Sequence, residues 1–551
     1  MRIEKFFMNN KLEIFVFLIV SILMLSNFSN MYLWNDEGET AVLAKNTLLF
    51  GIPKVYDGTN FITNYGNDYN SGLIWTWSSW LHIYIAALSF LIFGFSTFSA
   101  RILFVVIGIL SFFPIIALFR KISVNRLHYY LSILSLLFFV PYYLYSRQSR
   151  YYALLIFLMP VILISIYNML FKNGSILWFV LSFTLLFYSN YLSFFVLMTS
   201  ASLYLFLVLL KNTLKRKKLL KKLAASYAII FLLTFPWALY INIFERISTK
   251  INLADWIMRK IDYVLHSINS TAPLLLLLLS SIFLLLFFYF NKDKVVNKQK
   301  TFFIFFNGII PIIILFFPRY SDVRYLIGLF PLWISLILLP IIFLLISKRR
   351  TLKIIGAAIL FLFLFTNIFY SVGFYPFFPF ENYLKGKCSA LAPKNAKYCN
   401  SWVEDNFISQ KELKFPFFYY LYEITHDYDG PVEGVVGYLK SNGNKNSIVF
   451  ANNEYFSLQF YTSMKVLNTV QYQVTNLTPD FIFVNLPDRR DIPKINYLIT
   501  YAEKNNYTKI ALPYQDLPWD NRPVVWYHKF WTQPVKDSVT IYKKVNTRIK
   551  K

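Results

Sequence analysis

Eleven stretches of this sequence run almost without charge for roughly the 17–25 residues that a helix needs to cross the hydrocarbon core of a bilayer. They lie at about 14–33, 102–119, 128–145, 152–170, 175–190, 192–210, 224–244, 272–290, 301–317, 325–346 and 354–372. A 551-residue chain with this pattern is expected to be a multi-pass helical membrane protein. Composition agrees: 57% of residues are apolar and 15% charged, against about 45–50% and about 25% in soluble domains. The first run follows Arg2, Lys5 and Lys11. No small-x-small cleavage site follows it, so it reads as an uncleaved anchor.

Charge placement sets the orientation. The net charge is +27. Basic clusters stand at 120–126, 211–222, 292–300 and 348–353, each between apolar runs. Positive charge stays on the cytoplasmic side of such proteins. Eleven spans with a cytoplasmic N-terminus put all four clusters inside and everything beyond 372 outside. Topology thus accounts for the basic excess, and no nucleic-acid partner is expected. The expected location is the plasma (cell inner) membrane.

One segment controls that count. The apolar stretch Ile83–Phe95 has 13 residues, short for a span. It follows Trp75, Trp77, Trp80 and His82, and reads as a helix in the outer interface with its tryptophans at headgroup level. Residues 34–100 then form one long external loop. Within it, 39–50 has helical apolar spacing and stops at Gly51-Ile52-Pro53, while 57–72 is rich in turn formers. The tail, 373–551, regains polar residues and prolines. Segments 447–453, 456–462 and 480–486 read as strands and 432–442 as a helix, suggesting a small extracytoplasmic α/β domain. A local disulfide between Cys388 and Cys399 and two free thiols both stay open.

The spans carry no ionisable residue near their centres, which lowers the expectation of an ion-coupled carrier. Charges gather at the outer ends instead. Trp34-Asn35-Asp36-Glu37-Gly38-Glu39 follows the first span. It reads either as a solvated helix N-terminus, where acids are favourable, or as a reactive carboxylate group. Arg147, Arg150 and Tyr151 stand in YSRQSRYY, and Arg319 and Arg324 in PRYSDVRYL. Outward arginines either snorkel to headgroups or grip a phosphate, whose oxygens match a guanidinium fork. His82 is a weaker candidate for substrate contact. Asp57 and Asp68 could join Asp36 and Glu37 around a divalent cation, although no ligand spacing supports it. No P-loop, dinucleotide fingerprint or HExxH is present.

In order, these segments resemble the GT-C superfamily of polytopic glycosyltransferases, especially the family 39-like group of protein mannosyltransferases and lipid A aminoarabinose transferases. The resemblance rests on NDEGETAVLAKNTLLFGIP at 35–53, on WLHIYIAALSFLIFGFSTFSARILFVVIG at 80–108 with Arg101, and on YSRQSRYY. It covers roughly residues 10–350. It implies a transmembrane glycosyltransferase domain over 1–372, with the 373–551 domain outside. The implied activity is inverting transfer of a sugar from a polyprenyl-phosphate donor to a hydroxyl of a lipid, glycan or protein acceptor at the bilayer. Asp36 would be the general base and Glu37 would orient the acceptor or the base. Arg147, Arg150, Arg319 and Arg324 would stabilise the departing phosphate, and Arg101 would be structural. YSRQSRYY lacks the acidic residue that helps some relatives bind metal, so no cofactor is required by this reading, with a divalent cation left open. The Trp-Trp-Asp signature of oligosaccharyltransferases is absent. Two rivals stand beside this: a flippase or carrier for lipid-linked saccharides, and an assembly protein whose tail binds partners.

Overall fold

The structure is a computed structural model. It describes residues 11–64, 66, 68–211, 216–243, 302–310, 313–314, 323–367, 413–468, 471, 477–485, 492–517, 519–525 and 527–545. The expected span at 272–290, Arg319, both cysteines and the boundary at 373 lie outside these residues.

Among the described residues, five helical segments are long and apolar enough to cross a membrane, six if one bent pair counts as a span. The chain is a multi-pass membrane protein. Helix α1 (Lys11–Leu25) is followed by α2 (Asn35–Phe50), α3 (Leu81–Phe93), α4 (Thr97–Leu110) and α5 (Phe112–Ile122). Next come α6 (Arg126–Phe138), α7 (Val140–Ser146), α8 (Tyr152–Phe171), α9 (Leu177–Ser189), α10 (Tyr191–Lys211) and α11 (Arg216–Tyr240). A 3₁₀ turn, Val323–Leu329, leads into α12 (Phe330–Ile346), and α13 (Arg350–Phe365) follows. The first apolar run is helical only to Leu25 and then turns, because Asn27 and Asn30 donate side-chain hydrogen bonds to the His426 carbonyl and hold the chain there. The run at 175–190 forms a helix of only 13 residues.

Two features bring YSRQSRYY inward. Helices α6 and α7 meet at a 56° bend, with Pro141 in the first turn of α7, where its missing N–H does no harm. Next, α7 ends at Ser146, so Arg147–Tyr151 turn between α7 and α8. The 3₁₀ turn passes so close to α8 that a Cβ on Gly328 would lie 2.1 Å from the Leu155 carbonyl oxygen, leaving room for glycine alone.

Helix α2 starts four residues before the expected 39–50 segment, taking Asp36 and Glu37 into its first turn, and ends as expected at Gly51, whose φ of +76° suits a left-handed cap. The 81–93 helix is also as expected. Trp75 is fully buried within the protein, and its carbonyl accepts a hydrogen bond from Trp80 Nε1 at 2.8 Å. Asp57 and Asp68 do not approach Asp36 as cation ligands. They hold turns, Asp57 Oδ1 accepting the N–H of Thr59 and Asn60 and Asp68 Oδ2 that of Asn64.

In the C-terminal part, α14 (Pro416–Thr425) and α15 (Pro431–Asn442) precede β1 (Ile448–Ala451), α16 (Tyr455–Thr462), β2 (Lys465–Leu467), β3 (Phe481–Val484), α17 (Ile492–Lys504), β4 (Tyr507–Gln515) and β5 (Ser538–Lys544). The sheet order is β2-β1-β3-β5-β4, with β2, β1 and β3 parallel and β5 antiparallel to both its neighbours. Segment 456–462, expected as a strand, is helical. A short aromatic run has no decisive period of its own. As a helix it serves two cores, Phe456 and Phe460 packing toward α2 and α3 and Leu458 toward the sheet.

The external loop and this domain are joined. Asn60 pairs with the free edge of β2 like one rung of a strand, donating to the Met464 carbonyl at 2.9 Å and accepting from Val466 N–H at 2.8 Å. Helix α16 lies against α2 so closely that a Cβ on Gly38 would be 2.6 Å from the Ser457 nitrogen and 2.7 Å from the Phe456 carbonyl carbon. Backbone cannot yield as a side-chain tip can. Gly38→Ala is therefore expected to push α16 off α2 and to destabilise the chain by about 1–3 kcal/mol, read as a lower Tm and faster proteolysis within 443–480.

Candidate functional site

Successive residues of a helix point about 100° apart, and the first turn of α2 sends its three carboxylates three ways. Glu37 faces inward and is fully buried. Arg101 Nε and Nη2 donate to its two oxygens at 2.8 and 2.6 Å, and Ser149 N–H donates to Oε1 at 2.8 Å. Expected as a group that orients the acceptor or the base, Glu37 instead closes a buried ion pair and does not face the site. Glu39 is also buried. Its Oε1 lies 2.7 Å from Arg150 Nη1, and its Oε2 accepts from Asn64 at 2.8 Å. Burial pushes the Glu39 carboxyl above the ordinary range, Arg150 pulls against that and the nearby Asp36 adds to it.

Asp36 differs from both. Its side chain is 29% exposed and lies between two guanidinium groups, Oδ2 being 3.7 Å from Arg150 Nη2 and 3.6 Å from Arg324 Nη1. Arg150 is fixed from behind by Glu39 and by the Asp36 carbonyl at 3.0 Å. Burial alone would lower the Arg150 pKa, but Glu39 and Asp36 more than offset it. Aromatic rings form one wall: Arg150 lies over Tyr151, Tyr151 stacks on Tyr325 at 6.0 Å, and Arg324 lies over Tyr325. His82 meets Tyr151 edge-on at 5.7 Å, and among the described residues neither ring nitrogen has a hydrogen-bond partner. Burial, and then Arg150, hold its pKa well below the usual value, so the imidazole is neutral.

Of the three described arginines of the expected clamp, Arg150 and Arg324 stand beside Asp36 and Arg147 does not. Asp36, Arg150, Tyr151, His82 and Arg324 converge. Arg147 is directed at the C-terminal domain: its Nη2 pairs with Glu423, whose other oxygen meets His528 Nε2 at 2.7 Å. Burial would raise the Glu423 carboxyl, but Arg147 and His528 bring it down to about 2. Sequence reading missed Glu423 and His528. The available signal was a lone acid in the aromatic helix PFFYYLYEIT. Among the described residues no three His, Cys, Asp or Glu side chains converge as a cation site.

Two more buried acids line the contact between the domain and the 30–36 segment. Glu433 accepts from Tyr32 N–H at 2.6 Å and Glu454 from Trp519 N–H at 2.9 Å. Burial, then Asp520, raise both carboxyls to about 8. The folded chain thus keeps protons that the unfolded chain loses above about 4.5. The resulting stability is complete below that value and is lost as pH rises through about 8. The Tm is expected to fall between pH 5 and 8, and Glu433→Gln and Glu454→Gln should each flatten that slope.

No family profile matches the sequence, and no curated protein is a detectable relative of it. Solved structures do match. ArnT from Cupriavidus metallidurans bound to undecaprenyl phosphate superposes with a TM-score of 0.52 at 12% identity, over 97% of this chain and 98% of that one. Its apo state gives 0.50 at 12% identity, over 97% of each chain. The chain has a GT-C fold. Archaeal oligosaccharyltransferase AglB from Archaeoglobus fulgidus also superposes, with a TM-score of 0.48 at 13% identity over 94% of this chain and 75% of that one, too loosely to carry the assignment. Identity this low establishes the GT-C architecture and nothing about substrate. That has to come from the residues around Asp36.

Proposed function

We propose that this protein is an extracytoplasmic membrane glycosyltransferase that moves a sugar from a polyprenyl-phosphate donor to an acceptor hydroxyl. The observation that carries the reading is the solvent-reached carboxylate of Asp36 set between Arg150 and Arg324. A base beside two fixed cations suits a reaction that removes a proton and releases a phosphate. The ArnT structure with the same fold holds undecaprenyl phosphate, a lipid of the donor class. Charge placement along α4 and α5 supports the extracytoplasmic side for the site. Arg101, bound to Glu37, stands at one end of this helical segment and Arg120, paired with Glu13, at the other. Arg120 belongs to a basic cluster of the cytoplasmic kind, which supports an extracytoplasmic Asp36.

In the proposed step the acceptor oxygen attacks the anomeric carbon and its proton passes to Asp36. A new C–O bond forms opposite the breaking bond to the lipid phosphate, and the configuration inverts. The phosphate leaves with its electron pair and its charge is met by Arg150 and Arg324, electrostatic work that is largest where donors are held in advance. Tyr151 and Tyr325 supply a flat wall of the kind sugar rings pack on, and neutral His82 offers a hydrogen-bonding edge. No cofactor is needed, because the lipid phosphate is already a leaving group.

The test is to incubate the purified chain with a panel of undecaprenyl-phosphate sugars and candidate acceptors and to measure release of undecaprenyl phosphate. Release coupled to a new glycoside supports the reading. Passage of an intact donor across vesicles without cleavage would identify a carrier instead. Arg324→Met should weaken binding of undecaprenyl phosphate about 10–100-fold, the worth of one charged hydrogen bond, with Arg324→Lys in between. Unchanged binding would remove Arg324 from the phosphate site.

A further inference from the structure

Glu454 is fully buried and adopts φ +54°, ψ 16°, a left-handed backbone that strains a residue with a Cβ. Such strain persists where several contacts fix the residue. Glu454 is the residue before α16, and its carboxyl caps no backbone N–H of that helix, meeting it only at the Ser457 hydroxyl, which donates to Oε2 at 3.4 Å. It turns outward to two other segments. One oxygen accepts Trp519 N–H at 2.9 Å, and the Asn35 backbone N–H is near enough to pull the carboxyl pKa down against burial. Asn35 is held a second time, its Oδ1 accepting Phe456 N–H at 3.1 Å. Trp34 is tied by its indole N–H to Gln148, whose amide donates to the Asn521 carbonyl at 3.3 Å. The residues before Asp36 are thereby fastened to the C-terminal domain and to the YSRQSRYY turn.

We propose that Glu454 is a positioning residue for Asp36, tying the start of α2 to the 519–521 loop so that the carboxylate stays between Arg150 and Arg324. This rests on the glycosyltransferase reading for its catalytic consequence, though not for the clamp itself. Glu454 is not among the residues proposed to hold the lipid phosphate, so its loss should act on turnover and not on donor affinity. It also makes the C-terminal domain part of the catalytic construction, because a reacting side chain in the first external loop is held by a strained residue more than 400 positions away.

The test uses the full-length chain in detergent and compares the native protein with Glu454→Ala and Glu454→Gln. Hydrogen exchange at the amides of Asn35 and Trp519 should quicken about tenfold or more in Glu454→Ala and less in Glu454→Gln, which keeps one acceptor. With an active undecaprenyl-phosphate sugar, kcat should fall about tenfold or more in Glu454→Ala at unchanged KM, with partial rescue in Glu454→Gln. Binding of undecaprenyl phosphate should not change. Unaltered exchange at both amides would overturn the clamp. Faster exchange with undiminished kcat would overturn the positioning role. A native chain that turns over no donor would defeat the function reading alone, leaving exchange to decide the clamp. Should Glu454→Ala fail to fold, Glu454→Gln carries both comparisons.

Discussion

Asp36→Asn should reduce sugar transfer by about 10²–10⁴-fold, the usual contribution of a positioned general base, while the chain remains folded and inserted. Asparagine has the same shape and still offers an oxygen to Arg150 and Arg324, 3.7 and 3.6 Å away. It has no affinity for the acceptor proton. Because the side chain is partly exposed and its two cation contacts are long, little stability depends on its charge. Affinity for undecaprenyl phosphate should be kept or improved, since a carboxylate that repels the phosphate is gone. The measurement is lipid phosphate release at saturating donor, beside binding of undecaprenyl phosphate and the Tm. Undiminished release would take Asp36 out of the base role, and a carrier for lipid-linked saccharides would tolerate this substitution.

Much of the scaffold was legible because apolar length and charge placement are properties of the sequence alone. The 152–170 and 192–210 runs appear as α8 (Tyr152–Phe171) and α10 (Tyr191–Lys211), and the 13-residue stretch after Trp80 is a short helix. Local chemistry was legible where turn residues decide it, as at Gly51. The division of labour among Asp36, Glu37 and Glu39 was not. Spacing shows that three carboxylates leave a helix in different directions, but not which one meets Arg101, which meets Arg150 and which is left reachable. Those partners lie 64 and 111 positions from Glu37 and Glu39. Arg147 and Arg150 share the YSRQSRYY segment between two apolar runs. A turn, unlike a helix, does not keep such neighbours on one face, and Arg147 meets Glu423. The helical state of 456–462 was hidden for a related reason: its apolar residues face two different cores, Phe456 and Phe460 one that includes the external loop and Leu458 the sheet.

The neighbouring acid separates structure from chemistry. Glu37→Gln should leave Arg101 as a buried charge without its counterion, a defect that typically costs about 3–5 kcal/mol. Arg101 also donates through Nη1 to the carbonyls of Phe28 and Met31 at 2.9 and 2.8 Å, so it organises the turn between α1 and α2. Arg101→Met would lose those bonds in addition to the pair and should be at least as harmful. The double variant Glu37→Leu with Arg101→Met removes both charges, and apolar replacement of a buried pair is often nearly neutral. It should recover part of the loss, falling short by the bonds to Phe28, Met31 and Ser149. Thermal unfolding of the native chain, Glu37→Leu, Arg101→Met and the double variant gives the coupling directly. Two adjacent carboxylates would then show opposite behaviour: Asp36→Asn loses turnover at unchanged Tm, whereas Glu37→Gln loses Tm and takes turnover down with it. A Glu37→Gln protein that melts like the native chain but no longer transfers sugar would reverse the assignment and make Glu37 the reacting group.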